Sequence, residues 1–540
     1  MKTSSAKPKP RRASASAAGR PAGAAHKSVG SARKSSGPVR KSSGSTYKSA
    51  GPAHKSSGAA HKPAAPARTS TGPARKSAGS AYPSAAGKSA GSSHKPSAPA
   101  RKSAQPTGKS ASTFRKPGVR VTPPTAAPVR FAKGATINRR ASDRLRHGYL
   151  WVYASDVEQI ELGKHTPEAP PALIEVADSR GLLLGTALYS PASQIALRMI
   201  SRKSIDHAAW LVLLEERLRK AITRRKPLLN EVTDACRLVF SEADELPGIV
   251  IDKYGPLTII QLVAKGVDSA AVREVLVRVL REEIAPKAIL ERPDVRMREL
   301  EGLSAPAVEP LWAAKGAAKL SATEFHLNGL TFHYDANSGQ KTGAFLDQRL
   351  NYAAAAEWAT RLGATGRALD VCTYQGGFAL HLAKVCDKVT GIDASHASLE
   401  VAEQNFASNG ALMKAATDWV EGDAFQVLRD WSEAHEAFDV IVLDPPAFAK
   451  SVRAVESALR GYKELNLRAL KMLRPGGLLV TCSCSHHVSW SDLEGAVASA
   501  ATDAGRRVRL LERRGAAPDH PVVLNLAETE YLKCLVLEVE

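Results

Sequence analysis

The sequence predicts an α/β protein: a doubly wound parallel-sheet domain at residues 326–540, preceded by a small β-barrel at 128–203, a small α+β unit at 204–325 and a disordered basic tail at 1–127. Three observations carry this. The last segment alternates apolar, strand-like runs with helical segments, the pattern of a parallel sheet covered on both faces. The second segment holds short β-type runs punctuated by Gly, Pro and Ser-Arg-Gly turns. The first has no acidic residue and is built from Lys, Arg, Ser, Gly, Pro and Ala.

Taken in chain order, the tail comes first. Lys27, Lys34, Lys41, Lys48 and Lys55 recur every seven residues, each opening a Lys-Ser-x-Gly unit. The positions of a coiled-coil seam are Ser, Gly, Pro and Ala, so ordering the chain would bury nothing to offset its entropy. Disorder is expected, and a disordered polycation attracts phosphate backbones without reading sequence. The tail reads either as a nonspecific RNA tether or as a solvated extension; the regular Gly/Pro repeat argues against a transit peptide.

The barrel segment offers RFAKGATI, LWVYASDV, ALIEVADSRG, LLLGTALYS and IALRMI as strands. The next section opens with a helix carrying Trp210, Leu213, Leu214, Leu218 and Ile222 on one face. Strands RLVFSEA, GIVIDKYG and LTIIQLVA follow, then a helix from Ser269 to Glu283 and a strand from Ala288 to Glu291. In the last domain RALDVCTY, KVTGIDAS, WVEGDAF, FDVIVLDPP and GGLLVTCSCS are the parallel strands. After the second of these, Ser395 is the expected N-cap of a helix with Leu399, Ala402 and Phe406 on its inner face and Asn409-Gly410 as its stop. VRLLERR and EYLKCLVLEV are expected to pair antiparallel at one sheet edge.

Composition excludes several classes. The chain carries 75 Lys plus Arg against 53 Asp plus Glu, a net +22, but 26 of the basic residues fall within 1–130. The remaining 410 residues hold 49 basic and 53 acidic side chains, so any nucleic-acid affinity of the body must come from local patches. No apolar run is long enough for a membrane span and no secretory h-region opens the chain, which predicts a soluble cytoplasmic protein. Six cysteines are too few and too scattered for a disulfide framework. The oligomeric state is not written in the sequence; a homodimer is compatible with it.

Chemistry concentrates at the strand ends of the last domain, where doubly wound sheets bind ligands. DVCTYQGG contains Asp370, Tyr374, Gly376 and Gly377, glycines that would let backbone approach a ligand ahead of a helix N-terminus. Asp393 closes the second strand, placed for ribose hydroxyls; Asp423 closes the third, placed for an adenine edge; Asp444 closes the fourth, ahead of Pro445-Pro446. Four acids at four successive strand ends fit a nucleoside cofactor without phosphate, in the order of S-adenosylmethionine methyltransferases. Cys482, Cys484, His486 and His487 have the wrong spacing for a zinc knuckle, so no metal is expected.

From about residue 129 onward the chain resembles the large-subunit ribosomal RNA methyltransferase I family. HGYLWVYASDV and LYSPASQIALR match its barrel, SEADELPGIVIDKYG its central part, and SGQKTGAFLDQRLNY, YQGGFAL, DPPAF, RGYKELN, DHPV and YLK its last domain. The resemblance implies a PUA-type RNA-binding domain, a central α+β domain and a Rossmann-like class I methyltransferase domain using S-adenosyl-L-methionine on ribosomal RNA. It places Lys341, Asp347, Gln348 and Arg349 of GQKTGAFLDQR near the cofactor. It also implies 5-methylcytosine chemistry. Carbon 5 of a pyrimidine needs a thiolate added at carbon 6 before it can accept a methyl group. Alignment of GGLLVTCSCS makes Cys484 that nucleophile, with Cys482 in reserve; if the strand runs on to 484 both thiols share a face. Asp444 would bond the cytosine's exocyclic amine and ring nitrogen. Ala447 and Phe448 stand where related enzymes carry a second, product-releasing cysteine. Two alternatives remain open: methylation of another position, such as a guanine nitrogen, and an RNA-binding assembly factor with little catalysis.

Overall fold

The computed structural model describes residues 134–166, 171–337 and 343–540. The expectations attached to the tail and to Lys341 lie outside the described residues.

The first domain comprises β1 (Gly134–Ile137), α1 (Arg139–Arg146), β2 (Trp151–Tyr153), β3 (Val157–Glu161), β4 (Leu173–Asp178), β5 (Leu183–Tyr189) and β6 (Ile195–Ser201). They form one six-stranded sheet of order β2-β6-β5-β4-β1-β3, antiparallel except for β1 against β4. Ile137, Leu145, Val152, Val176 and Leu197 make its core. The expectation of strands alone is corrected by α1. Four of its eight residues are arginines and it buries only Ala141, Ser142 and Leu145, too thin a stripe to show a helical period. Asn138 starts it by accepting the Ala141 amide at 2.9 Å.

The central domain follows as α2 (His207–Arg225), β7 (Ala235–Phe240), β8 (Ile249–Tyr254), β9 (Leu257–Leu262), α3 (Ala270–Ile284), β10 (Ala288–Glu291), α4 (Val295–Leu300) and β11 (Trp312–Ala313). Helices α2 and α3 cover a five-stranded sheet through Trp210, Leu214, Leu218 and Leu276. The hairpin β12 (Ala322–Leu327) and β13 (Leu330–Asp335) spans the expected division at 325/326. Its Phe325, Leu330 and Tyr334 share one apolar cluster with Tyr254 and Leu257 of the central sheet and with Leu346 and Leu380 beyond it. The core is continuous across the boundary, which a linear change of composition could not show.

The last domain runs α5 (Arg349–Leu362), β14 (Arg367–Val371), α6 (Gly377–Ala383), β15 (Lys388–Asp393), α7 (His396–Ser408), β16 (Ala416–Glu421), α8 (Ala424–Glu433), β17 (Phe438–Leu443), α9 (Val455–Met472), β18 (Leu473–Ser483), α10 (Trp490–Ala504), β19 (Val508–Arg514) and β20 (Lys533–Val539). The sheet order is β16-β15-β14-β17-β18-β20-β19, parallel through β18 and antiparallel at β20 and β19. The chain steps outward from β14 to β16, then returns to place β17 on the other side of β14. The crevice at the carboxyl ends of β14 and β17 is therefore the switch point where ligands of such sheets bind. Among the described residues no helix is long and apolar enough to cross a membrane.

One loop, residues 515–532, ties the domains together. Asp519 is fully buried and pairs with Arg349 at 2.7 Å, while its second oxygen accepts the Arg237 amide at 2.9 Å. Its carbonyl accepts from Arg225, which also holds Asp244 at 2.6 Å. Burial would raise the Asp519 carboxyl; hydrogen bonding and charge from His520, the Arg349 charge and the Arg237 amide outweigh it and hold the group far below the usual range. Farther along the loop, Tyr149 of the first domain donates to Glu528 at 2.6 Å. Replacing Asp519 with Ala strands the buried Arg349 guanidinium and the Arg237 amide and is expected to cost about 3 kcal/mol. Urea unfolding of the full chain checks this, and a loss below about 1 kcal/mol would remove Asp519 as the tie between domains.

Candidate active site

The site grows from the loop after β14. Asp370, buried at the strand end, accepts the Thr373 hydroxyl at 2.6 Å and the Ala379 amide at 2.9 Å on one oxygen. Its other oxygen is buried without a hydrogen-bond partner. Burial pushes the carboxyl up to about 7. The loop then takes two left-handed residues that are not glycine, Cys372 at φ +63° and Tyr374 at φ +51°. Such strain is held only where the surroundings over-determine it, and it clusters at functional sites. The Tyr374 amide donates to Asp393 at 2.9 Å, and the Ser395 amide donates to the other Asp393 oxygen at 2.9 Å. Asp423 caps α8 by accepting the Gln426 amide at 3.0 Å and is otherwise exposed.

The glycines also answer to the packing behind them. A Cβ on Gly377 would lie 2.4 Å from the Tyr352 ring, and one on Gly376 would lie 2.5 Å from Leu380. Their smallness makes room for the protein's own side chains. Tyr352 is buried behind the loop, and its hydroxyl donates to the Phe345 carbonyl at 3.2 Å. Phe345 in turn meets Tyr374 edge to face at 5.1 Å, which sets the described part of GQKTGAFLDQR against the β14 loop. Sequence reading missed Asn405, which supports the same loop by donating to the Gln375 carbonyl at 2.9 Å. It was findable: Leu399, Ala402, Asn405 and Asn409 lie on the buried stripe of α7.

Asp444 stands at the end of β17. Gln348 donates to it at 2.9 Å and is itself fixed by Asn351 at 2.6 Å. Burial, and then the charges of Asp347 and Asp370, push Asp444 up to about 8 against the opposing Gln348 bond. The acids expected from the strand ends converge at Cys372. Burial, followed by Asp393, Asp444, Asp370 and Asp423, pushes its thiol far up. Arg349 is not directed at this cleft, since its guanidinium is buried on Asp519.

The two expected thiols separate. Strand β18 ends at Ser483, so the alternation that would put both on one face is broken. Cys482 is fully buried opposite Cys534, its register partner on β20, and burial raises it well above its ordinary value. Cys484 is partly exposed, with Sγ 3.9 Å from the Pro445 carbonyl oxygen, against the Asp444 loop. Cys236, Cys386 and Cys534 are buried, as their apolar runs suggest. Behind Cys484, Tyr462 joins Ser483 at 2.8 Å and Ser485 at 3.2 Å. Phe448 packs on Tyr462 at 4.9 Å. Among the described residues no three His, Cys, Asp or Glu side chains are grouped to hold a metal ion.

A cleft rimmed by carboxylates, with one buried carboxyl oxygen unpartnered, suits a cationic nucleoside better than a phosphorylated one. Sequence and structural kinship agree with this. A model of PUA-like domains matches residues 135–202, and a model of S-adenosylmethionine-dependent methyltransferases matches residues 307–536. Ribosomal RNA large subunit methyltransferase I of Klebsiella pneumoniae is 36% identical over 388 residues, 71% of this chain and 92% of that protein. Its namesake from Alteromonas mediterranea is 34% identical over 400 residues, 73% of this chain and 96% of that protein. Among solved structures, a candidate methyltransferase from Streptococcus mutans superposes with a TM-score of 0.61 at 20% identity, covering 75% of this chain and 99% of that one. A methyltransferase structure complexed with SAH gives 0.62 at the same identity and coverage. Both show the fold.

Because Tyr352 has nowhere to retreat, Gly377→Ala is expected to displace the β14 loop and weaken S-adenosylmethionine binding at least about tenfold, at an overpacking cost of about 1–3 kcal/mol. Titration calorimetry reads this directly, and unchanged affinity would detach the loop from cofactor binding. By kinship across nearly the whole length of its relatives, and by the two domain types it carries, the chain belongs to the ribosomal RNA large subunit methyltransferase I family of S-adenosylmethionine-dependent enzymes.

Proposed function

We propose that the protein methylates carbon 5 of a cytosine in large-subunit ribosomal RNA, with Cys484 as the nucleophile. The observation that supports this reading is the separation of the thiols: Cys484 is partly exposed against the Asp444 loop, whereas Cys482 is sealed in the core. A flipped cytosine enters the switch-point crevice. The Cys484 sulfur bonds carbon 6, and the ring's electron density shifts toward carbon 5 and toward N3. Asp444, raised to about 8, is protonated at neutral pH and can donate to N3 as negative charge develops there. S-adenosylmethionine, when bound, supplies an electrophilic methyl group; loss of the carbon-5 proton to a base then breaks the carbon 6–sulfur bond and returns its electron pair to Cys484. Asp393 holds the cofactor's ribose hydroxyls, and Asp423 and the amide after it face the adenine. Tyr374, Gly376 and Gly377 line its path, and Gln348 keeps Asp444 aimed. Arg349 positions the 515–532 loop instead of touching the cofactor. The PUA-like and central domains dock the RNA, and the basic segment 1–127 adds nonspecific phosphate attraction.

Bisulfite sequencing of ribosomal RNA from cells with and without the gene is the direct test, with loss of one methylcytosine expected. Cys484→Ala should lower product formation about a thousandfold or more, and full turnover by this variant would end the cytosine-adduct reading. The sign of the Asp444 effect is fixed: a carboxyl whose value is raised keeps its proton until pH approaches 8 and loses it above. The kcat/KM profile should therefore fall on the alkaline side near pH 8. Asp444→Asn, slower throughout, should lack that limb; a limb that persists in the variant excludes Asp444 as its source. Deleting residues 1–127 should lower RNA affinity and flatten its dependence on salt, and an unaltered salt slope would strip the segment of this role.

A further inference from the structure

We propose that Lys533 is a positioning residue that holds Cys484 as a thiolate, its buried ammonium fixed on the Ser485 and Tyr531 carbonyls next to the thiol. The inference rests on Cys484 being the nucleophile and adds the group that makes its sulfur reactive at neutral pH.

The placement follows from strand register. Lys533 opens β20 directly opposite Ser483 of β18, one residue before Cys484. Its side chain is 3% exposed, an uncommon state for a lysine, and Nζ donates to the Ser485 carbonyl at 2.9 Å and to the Tyr531 carbonyl at 3.0 Å. Both partners are neutral, so the hydrogen bonds fix the ammonium without cancelling its charge. Burial drives the Lys533 ammonium below its ordinary value. The charges of Glu530, of a Cys484 thiolate and of Asp492 act in the opposite sense. The interaction is mutual: a thiolate that favours the ammonium is favoured by it to the same extent.

The tyrosine hydroxyls and Asp444 beside the sulfur do not supply this charge. Burial raises the Tyr462 hydroxyl and raises the Tyr531 hydroxyl far above its ordinary value, so both are neutral at working pH. Asp444 lies on the facing loop, protonated at neutral pH and without charge to repel a thiolate. Exposed Glu530 and half-buried Asp492 act on the ammonium in the sense that favours its proton. In the step itself the Cys484 S–H gives its proton to water, the pair stays on sulfur facing Nζ, and the same pair forms the bond to carbon 6. Lys533 gains and loses no proton.

The test uses the full-length protein and iodoacetamide as probe. Alkylation of the Cys484 peptide is followed by mass spectrometry from about pH 6 to 10, with methyl transfer to ribosomal RNA measured alongside. In the wild type, half-maximal alkylation is expected below the ordinary thiol value of about 8.5. Lys533→Gln keeps donors for the two carbonyls but not the charge. Its midpoint should move up by about one pH unit, which lowers thiol reactivity at pH 7 about tenfold. Its kcat should fall and the acid limb of its rate profile should move the same way, with KM for RNA unchanged. Lys533→Arg should restore most of both. A wild-type midpoint at or above about 8.5, which needs no variant to fold, overturns the proposal, as does an unshifted midpoint in Lys533→Gln. If Cys484→Ala keeps full methyl transfer while the alkylation profiles shift as expected, the cytosine-adduct reading fails and the pairing of Lys533 with Cys484 stands.

Discussion

The site depends on one hydrogen bond between two elements far apart in sequence: Gln348, ahead of α5, donates to Asp444 at the end of β17. A carboxyl at the carboxyl end of a parallel strand has no strand partner to satisfy it. Left alone in a buried crevice it would cost several kcal/mol or drive the loop open. Gln348 supplies a neutral donor, and Asn351 spends its own amide on holding Gln348 in that orientation. A lysine here would have fixed Asp444 as a carboxylate. The amide leaves it able to keep a proton, and burial together with Asp347 and Asp370 decides that it does. The protonation state of the residue facing the substrate is thus set by the choice of a neutral partner.

A second constraint comes from the loop between β19 and β20. At its start Asp519 engages Arg225 and Arg237 of the central domain and Arg349 of the catalytic one. In its middle Glu528 takes a hydrogen bond from Tyr149 of the PUA-like domain. At its end Tyr531 reaches Asp347 and the carbonyls that hold Lys533. The same short stretch therefore feels the RNA-facing domain at one point and the reactive thiol at another. Because Lys533 begins β20, opposite β18 in a seven-stranded sheet, the end next to the thiol is the rigid one.

Much of this was legible in the sequence, and the failures have physical causes. The strands of the parallel sheet were readable because burial on both faces turns them into apolar runs, and an acid closing such a run is conspicuous. The thiols were harder. A two-residue spacing promises a common face only while the strand lasts, and β18 stops between Cys482 and Cys484. The packing demand on Gly377 was not legible, because a sequence cannot show Tyr352 folding in behind it. Arg349 sat in the right motif, but its buried partner is 170 residues away, beyond any local pattern. Helix α1 escaped because its arginine-rich surface outnumbers the few residues it buries.

Cys372 and Cys484, two thiols near one crevice, lie in different electrostatic surroundings. Both lie in loops that follow parallel strands, and both are incompletely buried. Burial first, and then the Asp393 carboxylate, push the Cys372 thiol far up, so it stays protonated. Cys484 lies against the loop of Asp444, whose carboxyl burial pushes up to about 8, and the adjoining strand brings the Lys533 ammonium to the Ser485 carbonyl. The carboxylates therefore do two things at once. They oppose a thiolate at Cys372, and under the proposed reading they favour a positively charged methyl donor on the same side of the crevice.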